Sequence, residues 1–281
     1  MESKQQWSDY LGRTEESHIT VSSDRIRGLA ALMDYPEPPW PQNQVPPTGH
    51  WCALFPYTRQ SQLGHDGHEE KGGFIPPLPY SRRMWAGGRI EYLRPWKVDQ
   101  PVTRRSTILK IEDKHGRSGP MTLVTVNHEY LDGKTLLLRE EQDIVYRDAA
   151  AGLAPKPVIK TFSGEPADWT REIVPDATLL FRYSAVTFNG HRIHYDRDYV
   201  QQEGYPGLLV HSPLTATLLI DLFQQANPEA TIRHFRFIAR SPMYDGYPVR
   251  LCGKRQANGM IALWSEACDG SVSVTAELET R

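Results

Sequence analysis

Cysteine is scarce in this sequence, and its cysteines are widely spaced. The three that occur, Cys52, Cys252 and Cys268, form no Cys-x-x-Cys pair, so a structural zinc site of thiolates is not indicated. An odd number of isolated cysteines also argues against a disulfide framework. Such cysteines are typical of reduced thiols in the cytoplasm, and we therefore expect a cytoplasmic protein.

Long apolar runs and an excess of charge of one sign are also lacking. No run reaches the length that spans a bilayer, and the N-terminal stretch MESKQQWSDYLGRTEE resembles neither a secretory signal nor a transit peptide. The formal net charge is −2, which gives no reason to expect nucleic acid or a membrane as a partner. With 39% hydrophobic and 23% charged residues, the composition predicts a globular, soluble protein.

Several common catalytic motifs are missing. The chain has no Gly-x-Ser-x-Gly elbow, and no Gly-x-Gly-x-x-Gly opens a helix. The residues DGKT at 132–135 match the end of a phosphate-binding loop, but His128 occupies the position of its first glycine. We interpret DGKT as a hairpin turn.

The chain contains two segments with the same plan. Residues 22–36 predict a helix capped by Ser22 or Ser23, and four strands with period-two alternation follow from Gly88. After a polar stretch, HSPLTATLLIDLFQQAN predicts a buried helix with Ser212 as N-cap and Pro213 at its first position, again followed by strands.

Antiparallel strands that wrap one buried helix form the hotdog architecture. We therefore predict an α+β double hotdog, in which two tandem units form a pseudo-dimer. The expected organisation is an N-terminal degenerate unit at 1–147, a linker at 148–176 and a C-terminal catalytic unit at 177–281. The sequence leaves open whether the pseudo-dimer pairs with a second copy as a homodimer.

Three histidines surround the turn FNGHRIHYDRDYVQQEGYPGLLVHS at 188–212. His191 and His194 have the spacing of a zinc-binding pair, and His65 and His68 form a similar pair. No third and fourth ligands occur at suitable spacing, so we expect no metal. We expect His65 and His68 to lie in a solvated loop.

This turn resembles the MaoC-like, (R)-specific enoyl-CoA hydratase branch of the hotdog superfamily. That signature is Ser-Gly-Asp-x-Asn-Pro-x-His-x-Asp, then a turn with glycine and proline, then His-Gly-Met at the start of the central helix. The chain has TFNGHRIHYD, then GYPGLLVHS. The stretch PYSRRMWAGGRIEYLRPWKVDQPVTRRSTI is similar to a subgroup with a degenerate first unit, which includes type-2 hydroxyacyl-thioester dehydratases and the itaconyl-CoA and mesaconyl-C4-CoA hydratases.

The resemblance implies a hydro-lyase that adds water to a short branched dicarboxylyl-CoA, such as itaconyl-CoA or mesaconyl-CoA, to give citramalyl-CoA. It implies a role in itaconate degradation and no metal or redox cofactor, because coenzyme A arrives as part of the substrate. Two alternatives stay open. The protein could be a 3-hydroxyacyl-thioester dehydratase acting on fatty chains, or a non-catalytic hotdog that binds acyl thioesters.

The resemblance assigns the central roles to four residues. His194 would transfer protons, since its ordinary pKa lies near neutral pH. Asn189 stands where the family has its catalytic aspartate, and an amide positions a water but accepts no proton. Ser212 replaces a glycine whose backbone N–H is the oxyanion donor at the helix N-terminus. Asp196 either orients the imidazole or has a structural role.

Further residues complete the expected site. His191, Tyr195 and Glu203 are candidates for proton donation or water activation. Arg192 is either a solvated cation or the partner of a substrate carboxylate, because its fork suits two oxygens. His211 is expected to hold the turn to the helix. The remaining candidates for substrate binding are Arg82 and Arg83, for which coenzyme A phosphates or a structural role are both open, and Gly207 in the turn.

Overall fold

The computed structural model describes residues 7–116, 119–148, 154–162 and 164–281. Its main element is a ten-stranded sheet in which every neighbouring pair is antiparallel. In chain order the strands are β1 (Thr14–Thr20), β2 (Arg82–Tyr92), β3 (Pro101–Gly116), β4 (Gly119–Asp132), β5 (Thr135–Arg147), β6 (Trp169–Ile173), β7 (Ile232–Ala239), β8 (Val249–Arg255), β9 (Ile261–Ala267) and β10 (Val272–Thr280).

The strand order shows an internal repeat. Across the sheet the order is β1-β3-β4-β5-β2-β7-β10-β9-β8-β6. Each half has five strands, which can be numbered in chain order within that half. Read from the outer edge of the sheet to its middle, both halves then give the same order: first, third, fourth, fifth, second. Strands β2 and β7 join the halves, and a Cβ at Gly87 would lie 2.5 Å from the carbonyl oxygen of Phe237, so glycine permits this close approach. The predicted tandem of two hotdog units is confirmed.

Three of the four α-helices in the described part of the chain belong to the second unit. The longest is its central helix, in which the positions from Leu214 to Phe223 are buried, and it packs against β2, β6, β8, β9 and β10. Pro213 lies in its first turn as predicted, but the N-cap is His211 and not Ser212. The helices are α1 (Ser23–Leu32), α2 (Ala177–Thr187), α3 (Arg197–Gln202) and α4 (Ser212–Ala226).

Within residues 7–116 and 119–147, the first unit has no comparable central helix. Its α1 begins as predicted, because the Ser22 side chain accepts a hydrogen bond from the Arg25 N–H at 3.3 Å. This helix packs mainly against α2 and against the short 3-10 turn Gly49–Ala53. The expectation of one long helix in each half is therefore right only for the second unit.

Two short strands were not predicted. Strand β6 lies within the range 148–176 that we interpreted as a linker, and it pairs with β8. Its counterpart in the first unit, β1, pairs with β3. Both are edge strands with polar sequences, so neither has the apolar alternation that identifies a half-buried strand. The rest of the linker includes residues 149–153 and 163, which lie outside the described residues.

All three cysteines are unpaired and buried. Burial raises the pKa of the Cys52 thiol to about 12, so this group stays protonated at neutral pH. Within the ranges that the structure describes, no helix combines the length and apolar character needed to cross a bilayer.

Candidate active site

A cavity of about 410 Å³ lies between the two units. The second unit contributes Asn189, His191, His194 and Ser212 to its wall, and the first unit contributes His68 and Arg83. Side chains such as Trp85, Ile144 and Met243 make much of the remaining surface apolar. The cavity thus combines the predicted catalytic turn with residues that are distant in sequence.

His194 is prepared as a proton acceptor. It ends the 3-10 turn Arg192–His194, and its ring is buried. Its Nδ1 lies 2.8 Å from the Leu209 carbonyl oxygen. Because a carbonyl only accepts, Nδ1 carries the proton and Nε2 carries the lone pair. Burial, together with the neighbouring His191, lowers the pKa of His194 to about 3, so the ring is neutral at neutral pH.

Asp196 does not orient this imidazole, and that part of the prediction is wrong. One oxygen of Asp196 accepts the Tyr199 N–H at 2.9 Å and caps α3. The other accepts Nε and Nη2 of Arg192 at 2.9 and 2.7 Å. The main-chain carbonyl of Leu209 holds His194 instead, which no side-chain pattern in the sequence indicates.

Because Arg192 is paired with Asp196, its guanidinium is not available for the substrate carboxylate that was one of its two expected partners. Its Nη1 donates to the His65 carbonyl oxygen at 3.1 Å, and its guanidinium lies over the Tyr199 ring, 4.6 Å from the ring centroid. With Asp196, these contacts occupy all three nitrogens of the guanidinium. Arg192 therefore anchors the turn and is not the receptor for a substrate carboxylate.

Asn189 presents a hydrogen-bond donor to the cavity. Its Oδ1 accepts the His191 N–H at 2.9 Å, so the amide group Nδ2 is left for the cavity. The residue follows Phe188, which caps the C-terminal end of α2 and has a φ of 53°. The geometry fits a residue that orients a water or a substrate oxygen by donation. Its predicted role remains untested.

The start of α4 supplies an unpaired backbone donor. Ser212 is the first residue of the helix and lines the cavity. Its N–H has no acceptor among the residues that the structure describes. Such a group at a helix N-terminus favours negative charge. This arrangement suits the oxyanion role expected for Ser212.

His211 fixes the distance between that helix start and His194. Its ring stacks on the His194 ring with centroids 3.5 Å apart and planes at 19°. Its Nε2 lies 2.9 Å from the Ser184 hydroxyl on α2. Burial holds the pKa of His211 well below its usual value, so the ring stays neutral. The contacts match the structural role expected for this residue.

The sequence analysis missed His68, which we expected in a solvated loop. Its ring lies against that of His191, with centroids 4.6 Å apart, and burial lowers the pKa of His68 to about 4. The ring of His191 in turn lies 5.5 Å from that of His194. Four imidazoles therefore form one row from His68 to His211. In the part of the chain that the structure describes, no group of three or more His, Cys, Asp or Glu side chains could hold a metal ion.

A glycine contact brings the His68 loop into place. Gly67 has a φ of +86°, and a Cβ there would lie 2.1 Å from the Gly190 carbonyl oxygen. The Asp66 carbonyl accepts the Arg192 N–H at 2.9 Å. The Asp66 carboxylate binds Nε and Nη2 of Arg83 at 2.8 and 3.1 Å. Gly190 is required in the same way, because a Cβ there would lie 2.8 Å from the Gly67 carbonyl oxygen.

Most of the other expected binding residues lie away from the cavity. Arg82 binds Glu203, with Nε 2.5 Å from Oε2, so both side chains serve structure. The Tyr195 hydroxyl donates to the Gly190 carbonyl oxygen at 3.0 Å, and a Cβ at Gly207 would meet the Asp245 carboxylate. Among the described residues, Arg83 belongs to the cavity wall, and its Nε and Nη2 are bound to Asp66. The wall does not include Arg82, Tyr195, Glu203 or Gly207.

The sequence model of the hydroxyacyl-thioester dehydratase type 2 family matches residues 48–245. The chain belongs to this family. It is 42% identical over 276 residues to the mesaconyl-C(4)-CoA hydratase of Chloroflexus aurantiacus, and the match covers 97% of both chains. The predicted membership is confirmed, and so is the prediction that this member of the hydroxyacyl-thioester dehydratase type 2 family is a hydro-lyase.

Solved structures agree with the fold. A MaoC-like dehydratase from Phytophthora capsici superposes with a TM-score of 0.74 at 13% identity, covering 96% of this chain and 95% of the other. A Mycobacterium tuberculosis protein described as a double hotdog superposes with a TM-score of 0.55 at 13% identity, covering 96% of each chain. The double hotdog architecture of this hydroxyacyl-thioester dehydratase type 2 family member is therefore confirmed.

Proposed function

We propose that this protein is an acyl-CoA hydratase for short branched dicarboxylyl-CoA thioesters of the mesaconyl or itaconyl type, with citramalyl-CoA as the product. The observation that carries the proposal is the neutral His194 ring, which lines the same cavity as the unpaired Ser212 N–H. The activity named for the relative with 42% identity supports the choice of substrate.

The chemistry follows from these two groups. For a double bond conjugated to the thioester, the water oxygen bonds to the β-carbon while one water proton passes to Nε2 of His194. The π electrons move onto the thioester oxygen, which accepts the Ser212 N–H. The enolate then takes the proton back from the imidazolium at the α-carbon, and the thioester carbonyl re-forms. Asn189 would orient the water by donating to its oxygen.

The low pKa of His194 has a consequence for the second half of the reaction. Burial lowers this pKa to about 3, so the imidazolium formed by proton uptake is a strong acid. It therefore returns its proton readily to the enolate carbon. General acid–base catalysis by a positioned side chain contributes roughly 100- to 10,000-fold to the rate. One backbone donor to the oxyanion lowers the barrier by about 3 kcal/mol.

The test compares two thioesters and two variants. We expect wild-type protein to hydrate mesaconyl-C4-CoA faster than crotonyl-CoA, measured by loss of the conjugated thioester absorbance. His194→Ala should lower kcat by roughly 100-fold or more. His65→Ala is the matched control, since His65 is exposed on the neighbouring loop. Hydration that survives His194→Ala would contradict the proposal, binding of the thioesters without turnover by wild-type protein would favour a binding protein, and release of free thiol would show thioester hydrolysis instead.

A second candidate is dehydration of 3-hydroxyacyl thioesters with fatty chains. The family description names this reaction, and the apolar wall formed by Trp85, Ile144 and Met243 favours an uncharged chain. The same site would perform it, because it is the reverse of hydration. Faster turnover of crotonyl-CoA or longer enoyl thioesters than of mesaconyl-C4-CoA would select this candidate.

A further inference from the structure

The proposed substrate carries a charge close to its reacting carbon. In a mesaconyl thioester linked through C4, the free carboxylate is bonded directly to the β-carbon that receives the hydroxyl. One carbon–carbon bond spans about 1.5 Å. The carboxylate must therefore lie beside His194 whenever the β-carbon does, and a receptor at the far end of the cavity could not reach it.

Two imidazoles occupy that position. His191 lies next to His194, and His68 lies next to His191. Both line the cavity. Their backbone N–H groups are bonded to Asn189 and Asp66, but neither ring has a hydrogen-bond partner within the described ranges. Rings that face a cavity without partners are free to bind a ligand.

Arg192, the arginine expected for this role, and the two other candidate arginines are each paired with a carboxylate. Arg192 is bound to Asp196, and Arg82 is bound to Glu203. Arg83 faces the cavity, but Nε and Nη2 of its guanidinium are bound to Asp66, which also balances its charge. The carboxylate of a ligand beside His194 would meet imidazoles and not a free guanidinium.

We infer, on the basis of the proposed function, that His68 and His191 form the receptor for a carboxylate on the β-carbon of the substrate. Each neutral ring has one N–H, so the pair offers one donor to each carboxylate oxygen. The receptor joins the two units, because His68 belongs to the first and His191 to the second. The groups that face it are Asp66, Arg83 and His194.

The experiment uses saturated thioesters, which bind without being hydrated. The methylsuccinyl thioester linked through C4 has a carboxylate on its β-carbon, and butyryl-CoA differs from it only by hydrogen at that position. Binding of both is measured by calorimetry with wild-type protein and with His68→Phe, which keeps a ring against His191 but has no N–H. His65→Phe is the control on the same loop, and His68→Leu is the second variant if His68→Phe does not fold.

We expect wild-type protein to bind the methylsuccinyl thioester roughly 10- to 100-fold more tightly than butyryl-CoA, as hydrogen bonds to a charged group imply. His68→Phe should remove most of this preference and change the affinity for butyryl-CoA by less than about threefold. A preference that survives in the variant, or an equal loss for both thioesters, would overturn the inference. Failure of the proposed function would appear separately, as a lack of hydration of mesaconyl-C4-CoA by wild-type protein that still shows the binding preference.

Discussion

Mild acid should destabilise this protein through five of its histidines. Burial lowers the pKa of each of them in the folded state below the ordinary value of 6.5. The folded pKa is about 4 for His68 and His128 and about 3 for His191 and His194. The group consists of His68, His128, His191, His194 and His211.

The sign follows from proton binding. Between pH 6.5 and the lowered pKa values, the unfolded chain binds protons that the folded chain does not, so the free energy of unfolding falls as the pH falls. Going from about pH 7.5 to about pH 5.5 costs roughly 1.4 kcal/mol for each such group, and about 7 kcal/mol for five. A domain is stable by about 5–15 kcal/mol in total, so the effect should be large. The carboxylates of Asp66 and Glu140, whose pKa values are lowered to about 2, titrate below this window.

Urea denaturation at pH values of about 7.5, 6.5 and 5.5 measures the effect as a shift in the free energy of unfolding. His68→Phe should reduce the loss between the extremes by roughly 1.4 kcal/mol, because one titrating group is removed. A free energy of unfolding that stays constant over this range would refute the reasoning, since it would mean that the histidine row is protonated or solvated in the folded protein.

Three further predictions concern the site. Gly67→Ala should lower kcat/KM roughly tenfold or more, because a Cβ at this position would lie 2.1 Å from the Gly190 carbonyl oxygen. Unchanged kinetics would show that activity does not require the His68 loop to pack against Gly190. Ser212→Ala should keep kcat within about threefold and Ser212→Pro should lower it roughly 100-fold, since only proline removes the N–H; equal rates would exclude this donor. Asp196→Ala should lower the Tm through loss of the α3 cap and leave kcat unchanged, and a selective fall in kcat would restore its catalytic role.

Much of this protein could be predicted from local patterns. Sequence patterns identified the eight strands other than β1 and β6, and the apolar residues after His211 identified the central helix α4. These patterns suffice because a strand or helix that buries one face has apolar residues at the period of its own geometry. The edge strands β1 and β6 bury too little apolar surface to leave such a pattern, so they were not found.

The residues of the site also fall into two groups, those predicted from the sequence and those that only the structure brings together. The turn at 188–212 identified His194, Asn189 and Ser212 because the residues that form its core are close in sequence. Tertiary packing alone decided that Asp196 binds Arg192, that Leu209 orients His194 and that His68 enters the cavity. Each of these contacts depends on the position of a loop or a main-chain carbonyl relative to another segment. Residue type and spacing along the sequence do not predict that position.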